Sequence, residues 1–278
     1  MKNKESKLLK FLYKTFLGRL LLKLLVNPFF SKIIGAFLNT RLSKIFIKKT
    51  IVNNNINMSE YEQTIYKSFN DFFTREKAKL NIDFNRKSLI SPCDAELMVY
   101  KINDDSIFEI KNSKYNVSNL INDNDLAKEF ANGYFLVFRL GIKNYHKYCY
   151  IDNGIKGRNI FINGKLHTVR PISLDTYKVY QTNCREYTIL QTENFGKAIQ
   201  VEVGALLVGK IINYHQEYKF KRGEQKGLFK YGGSTICLLL KKNTATIDNY
   251  ILENSKESIE TSVVVGQKIG ISNLKRGN

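Results

Sequence analysis

Three stretches of this chain hold the residue types that nucleophilic or acid–base chemistry needs. Gly232-Gly233-Ser234-Thr235 stands at the mouth of a short apolar run, Ile236 to Leu240, too brief for a helix of its own and therefore read as a buried strand. Two glycines let the backbone bend there and leave the carbonyl carbon of Gly233 uncovered by any side chain. In a strained turn the Ser234 hydroxyl can attack that preceding carbonyl and convert the amide to an ester; in an ordinary tight turn the same four residues carry no chemistry. Asp94 lies in Ser91-Pro92-Cys93-Asp94-Ala95-Glu96, where Pro92 bars a helix and a turn leads into a strand. An aspartate so placed caps backbone as readily as it serves a reaction. His146 lies in Asn144-Tyr145-His146-Lys147-Tyr148-Cys149, directly after an apolar strand. It is one of three histidines, with His167 and His215, and imidazole is the side chain that titrates near neutrality without help.

The elements that must hold these residues change character along the chain. Residues 1–50 read as two or three amphipathic helices, with Lys7, Lys10 and Lys14 on one face and Leu8, Leu12 and Phe16 on another, and with Pro28 closing the first part. Ser59 and Glu62 form a capping box that predicts a helix to about Phe69. The segment NDFFTREKAKL, 70–80, offers Phe72 and Phe73 for packing and no evident chemistry. From 133 onward the pattern is β: GYFLVFRL, KYCYI, GRNIFI, KLHTV, EYTILQ, KAIQVEVGALLVGKI and YKFKR are separated by Gly/Asn turns. Asp152-Asn153-Gly154 predicts a turn, and Asn163-Gly164 predicts a two-residue hairpin with His167 on its second strand. The fold class is α+β: an amphipathic helical region over 1–57, then a β-rich core, antiparallel or mixed, over 58–278.

Composition narrows the partner. The net charge of +19 calls for an anionic surface, and residues 1–50 hold 12 Lys and Arg against one acid, Glu5, so eleven of those charges sit in the first fifth of the chain. No run of eighteen apolar residues is free of charge, so an in-plane helix with its apolar face in lipid is expected rather than a spanning one. No nucleic-acid motif, Rossmann fingerprint or P-loop is present. Cys93, Cys149, Cys184 and Cys237 form no C-x-x-C pair, which argues against a zinc site and suits a reducing compartment. No metal is expected. The basic N-terminus lacks the uninterrupted apolar stretch and small-residue site of a signal peptide.

In their order along the chain, SPCDAE (91–96), NYHKYC (144–149), VEVGALLVGKI (201–211) and KGLFKYGGSTICLLL (226–240) resemble the phosphatidylserine decarboxylase proenzyme family over roughly residues 60–270. The resemblance implies self-cleavage between Gly233 and Ser234, giving a β chain, 1–233, and an α chain, 234–278. Ser234 becomes a covalent pyruvoyl cofactor that forms a Schiff base with phosphatidylserine at an anionic membrane surface, releasing CO2 and phosphatidylethanolamine. Asp94 takes the place of an aspartate that orients a catalytic histidine, with Ala95 where the family has glycine. His146 takes the place of the first of two histidines. The second is replaced by Cys149, so either His146 serves both stages, oriented by Asp94, or Cys149 with a lowered pKa takes the serine proton; the first is expected, since a thiol near its ordinary pKa is mostly protonated. Gly204 and Gly209 suit close strand packing, and Arg185, in Asn183-Cys184-Arg185-Glu186, is a candidate for a substrate phosphate or carboxylate. The same resemblance implies a peripheral enzyme on the cytoplasmic face of the cell membrane, and a homodimer is compatible with it. The rival is a serine hydrolase using Asp94, His146 and Ser234 without cleavage; the absence of a G-x-S-x-G elbow counts against it.

Overall fold

A computed structural model describes residues 7–62, 65–110, 113–174, 176–206, 210–232 and 234–274. Helices α1 (Lys7–Lys14), α2 (Phe16–Leu25), α3 (Pro28–Leu38) and α4 (Ile45–Asn53) open the chain. Thr15 caps α2 by accepting the Gly18 amide, and Asn27 caps α3 by accepting that of Phe29. Pro28 therefore begins a helix at its first position, where proline costs no hydrogen bond, as well as ending the segment before it.

The single apolar face expected of these helices is in fact two. Leu12, Tyr13, Leu22 and Val26 are buried with Ile172, and Leu38 joins the main core. Leu8, Phe16, Leu17, Leu20, Leu24 and Phe29 point outward and are more than half exposed. No single helix among the described residues is long and apolar enough to cross a membrane.

The helix expected after Ser59 does not form. Asn57 takes the cap of a 3-10 turn at Met58–Glu60, and the backbone beyond is drawn into pairing with residues 76–78: the Glu62 amide donates to the Glu76 carbonyl, and that of Ala78 to Glu60. Long-range pairing outcompetes the local cap, and the helix instead starts later, at α5 (Phe69–Phe73), capped by Ser68.

Strands β1 (Ser88–Ile90), β2 (Ala95–Lys101), β3 (Ile107–Ile110) and β4 (Ser113–Asn116) follow. Short helices α6 (Val117–Ile121) and α7 (Asn124–Lys128) lead into β5 (Tyr134–Leu140), β6 (Lys147–Cys149), β7 (Gly154–Lys156) and β8 (Ile160–Ile162). After α8 (Pro171–Leu174) and α9 (Val179–Thr182) come β9 (Arg185–Thr192), β10 (Gly196–Val203), β11 (Lys210–Asn213) and β12 (Tyr218–Phe220). The chain ends with β13 (Gln225–Lys230), β14 (Ser234–Leu240), β15 (Ala245–Ile247), α10 (Asn249–Lys256), β16 (Thr261–Val263) and β17 (Lys268–Ser272).

The large sheet runs β12-β7-β9-β10-β14-β5-β2-β16, with β8 also on β9, and every strand pair in it is antiparallel. A three-stranded sheet, β11-β13-β6, and another, β1-β17-β15, accompany it. The α+β reading with an antiparallel core therefore holds. Strand β14 lies between β10 and β5, with Ile236 opposite both Glu202 and Phe138. Alternation sends Ile236, Leu238 and Leu240 into one core cluster and Cys237 and Leu239 into another, so this strand is apolar throughout because both its faces are covered. The hairpin expected at Asn163-Gly164 is absent: β8 pairs with β9, and Lys165 forms a parallel bridge to Asn183. Gly164 is needed there because an added Cβ would lie 2.3 Å from the Thr182 carbonyl oxygen. The chain does bend at 151–153, between β6 and β7, and Asp152 there is buried and pairs with Arg222 at 2.9 Å.

Leu238→Ala is expected to lower unfolding free energy by about 2–5 kcal/mol through lost burial and the cavity left between covered faces, measured as a shift in the urea midpoint of the Ser234→Ala chain.

Candidate active site

Ser234 is the first residue of β14, directly across from Leu140 at the end of β5. It is fully buried, and its Oγ has no hydrogen-bond partner among the described residues. Thr235 Oγ1 is in the same condition. Native interiors rarely leave hydroxyls so. The approach from β13 is pinned: the Tyr231 amide donates to Asn70 Oδ1 at 3.0 Å, and the Tyr231 ring packs against Phe69 and Phe73 at 5.0 and 5.4 Å. Gly232 has φ 130°, a region that side-chain-bearing residues avoid. Gly233 and Gly209 lie outside the described residues.

His146 is carried by the turn that begins at Leu140. Its ring lies on that of Phe73, 3.8 Å between centroids, and its carbonyl accepts the Phe229 amide at 2.9 Å. It is completely buried, and neither ring nitrogen has a partner. Burial, and secondarily the charge of Arg75, drives its pKa down to about 3, against a smaller opposing contribution from the nearby Asn144 backbone. The imidazole is therefore neutral at ordinary pH, with an unprotonated ring nitrogen free but a lowered proton affinity.

Asp94 is buried in the turn before β2, but its carboxylate does not meet the His146 ring. One oxygen accepts from Lys77 Nζ at 2.6 Å and the Tyr145 amide at 3.4 Å; the other from Lys77 at 2.9 Å and the Val265 amide at 2.9 Å. The expectation that Asp94 orients the imidazole directly is thus corrected: it holds the backbone next to His146. The lysine that claims it was not foreseen, since Lys77 belongs to a segment that sequence alone gave only a packing role. Cys149 is also buried, and burial pushes its thiol up to about 12, so almost no thiolate exists near neutrality. Its amide donates to the Pro92 carbonyl at 2.8 Å, tying the strand after His146 to the turn that carries Asp94.

Glu202 faces inward. It and Lys226 form a completely buried pair at 2.7 Å, with Gln200 donating to Glu202 at 3.0 Å and Asn213 linking both partners. Because Glu202 stands opposite Ile236, it is a diagonal neighbour of Ser234 on the same face of the sheet. A carboxylate alternating with valines in VEV was the one available sign of it. Arg185 is no substrate ligand: it is buried, and its guanidinium donates to the carbonyls of Asn119, Leu120, Gln181 and Asn183. His167 packs on Tyr177 at 3.9 Å, on the irregular segment after β8 rather than on a hairpin strand. Gly204 does serve close packing, 3.0 Å from Leu166 were it to carry a Cβ. No group of three His, Cys, Asp or Glu able to hold a metal ion occurs among the described residues.

A buried serine hydroxyl at the head of a central strand, glycines before it and an uncharged histidine at the same end of the sheet define a protein equipped to act on its own backbone. The family model described as phosphatidylserine decarboxylase matches residues 69–271. The chain is 52% identical over 269 residues to phosphatidylserine decarboxylase proenzyme 2 of Clostridium acetobutylicum, covering 95% of this chain and 92% of the relative. It is 44% identical over 273 residues to a phosphatidylserine decarboxylase proenzyme of Clostridium botulinum and 39% identical over 273 residues to one of Clostridium tetani, with the same coverage. This chain belongs to the phosphatidylserine decarboxylase family.

A histidine whose pKa is depressed on folding stabilises the fold fully above its unfolded value and progressively less below it. The Ser234→Ala chain is expected to lose about 2 kcal/mol of stability from His146 alone between pH 6.5 and 5, read from denaturant midpoints, and the loss should shrink when His146→Asn is added.

Proposed function

We propose that this chain is a pyruvoyl-dependent phosphatidylserine decarboxylase that makes its cofactor from Ser234. The observation that carries this reading, beside membership of the family, is the buried and unpartnered Ser234 Oγ. A hydroxyl tied into a network would be structural; one left free in a dry space, after a glycine at positive φ, fits a group destined for reaction and fits a ketone made in its place.

The neutral imidazole of His146 is the base we assign to the first stage. It takes the Ser234 proton, and Oγ attacks the Gly233 carbonyl carbon, moving the acyl group from nitrogen to oxygen. Loss of the Cα proton of residue 234 expels the Gly233 carboxylate and leaves a dehydroalanine. This tautomerises to an imine, and water replaces its nitrogen, which departs as ammonia, leaving the pyruvoyl group. Cys149, with its thiol raised to about 12, is a poor alternative base. Asp94, gripped by Lys77 and two amides, steadies the turn beside His146 rather than the ring itself. In the second stage the pyruvoyl group supplies the electron sink that lets the substrate carboxylate leave as CO2. His146 then returns a proton to the carbon, and the apolar walls keep competing water away.

The serine hydrolase reading is not favoured: it needs Asp94 on the His146 ring, and Asp94 is held instead by Lys77 and the amides of Tyr145 and Val265, while the relatives are named as decarboxylase proenzymes. The β chain, 1–233, and α chain, 234–278, remain partners after cleavage. The basic helices with outward-facing Leu8, Phe16, Leu17 and Leu20 support a peripheral position on the cytoplasmic face of the cell membrane, where phosphatidylserine is both substrate and anionic surface.

Intact mass spectrometry of denatured protein tests the cleavage. Two species, 1–233 and 234–278 with a ketone at its head, are expected from the active chain, and one from Ser234→Ala. Hydroxylamine should abolish CO2 release; a single full-length species that still releases CO2 overturns the reading. Binding to vesicles containing phosphatidylserine should weaken with salt, each neutralised N-terminal lysine costing about 1 kcal/mol, as followed by co-sedimentation.

A further inference from the structure

The segment Phe73–Lys77 wraps the turn that carries His146, and the mechanism above uses none of its charged side chains except through Asp94. Phe73 stacks on the His146 ring. Arg75 Nη2 donates to the carbonyls of Lys143 at 2.9 Å and Asn144 at 3.4 Å. Glu76 accepts the Tyr145 hydroxyl at 2.9 Å and pairs with Lys147. Lys77 holds Asp94, which accepts the Tyr145 amide. Each of residues 143–147 is thus touched by this one segment.

Arg75 is the exceptional member. It is 2% exposed, sits 4.3 Å over the Tyr61 ring and 4.9 Å over that of Phe72, and donates to the Tyr61 hydroxyl at 3.1 Å. It pairs with no carboxylate among the described residues, and its Nε has no partner. A buried cation without a counter-ion is costly, and packing alone does not call for one.

We propose that Arg75 is the positioning residue for His146, fixing its turn through two carbonyls and setting an uncompensated positive charge beside the ring. This deepens the reading of His146 as the base and rests on it. A second cation in the same dry space is repelled, so the imidazole rests uncharged with its lone pair free, at a cost in proton affinity. The depression of its pKa to about 3 is due to burial first and to Arg75 second. The other charges around it cancel in pairs. Lys77 faces Asp94, Lys147 faces Glu76, and Lys143 faces Glu96 at 3.4 Å. From the remaining elements come Asp71, which accepts the Lys67 amide, and half-buried Lys230; Tyr145, Tyr231 and Cys149 stay neutral because burial raises them all.

With only three histidines in the chain, ring NMR of the full-length Ser234→Ala protein can follow His146 directly. No titration is expected above about pH 5. Adding Arg75→Gln should raise the midpoint by at least about one unit, and in the cleavable chain it should make self-cleavage slow about tenfold per pH unit below that midpoint. Arg75→Lys keeps the charge but not the fork, so it should cleave more slowly at every pH with the profile still flat. An unmoved midpoint in folded Arg75→Gln, or an Arg75→Lys profile that bends as Gln's does, overturns the proposal. Should Arg75→Gln not fold, the Arg75→Lys profile decides alone. His146→Ala, measured alongside, separates the two levels: complete cleavage there removes His146 as the base, whereas blocked cleavage with indifferent Arg75 variants removes only the role given to Arg75.

Discussion

The ring of Phe73 stands 3.8 Å from that of His146 and 5.4 Å from that of Tyr231, so a single buried benzene joins helix α5, the turn after β5 and the approach to Ser234. Its consequence is dryness. Against an apolar face the imidazole loses its charged form, and the strand that follows Tyr231 begins with a hydroxyl that has nothing to bind. Both groups owe their state to burial, and the charges that remain nearby are either matched or, at Arg75, left unmatched beside the ring that rests uncharged.

Much of this was legible in residue order, and the parts that were not share a cause. Strand β14, its neighbours β5 and β10, and β9 beyond β10 follow from apolar runs and period-two alternation, which are local signals. Ser234 and His146 were singled out by their likeness to family motifs, and the structure places both buried at one end of the large sheet. What failed depended on partners distant in the chain. The capping box at Ser59 and Glu62 was overruled by pairing with residues 76–78, and the Asn163-Gly164 turn by a bridge to Asn183. Asp94 pairs with a different partner from the one expected, because nothing near it in sequence announces Lys77. Arg185 shows the reverse: a polar cluster that suggested a ligand site is spent on four backbone carbonyls.

The N-terminal helices illustrate how an amphipathic pattern can hide two apolar surfaces. One stripe is consumed by the protein itself, with Tyr13 reaching the Thr168 amide at 2.9 Å and Leu12 and Leu22 beside Ile172. The other is left bare, with Phe16 79% exposed. A helix greasy on both sides is stable only between two apolar media. Here the protein core is one of them, so docking to a surface and packing on the core are not competing roles for these helices.

Strand β14 lies in the interior of the large sheet, β16 at its margin, and β17 between β1 and β15. All three belong to the stretch that starts at Ser234. A break in front of that residue therefore frees nothing: the shorter piece stays interlaced with the longer by hydrogen bonds on both flanks. Cleavage there would open the link from β13 to β14, and with it the covalent memory of register. Once so cut, the two pieces would have to pair from separate chains after denaturation, so the sheet would be easier to build before the cut than after it.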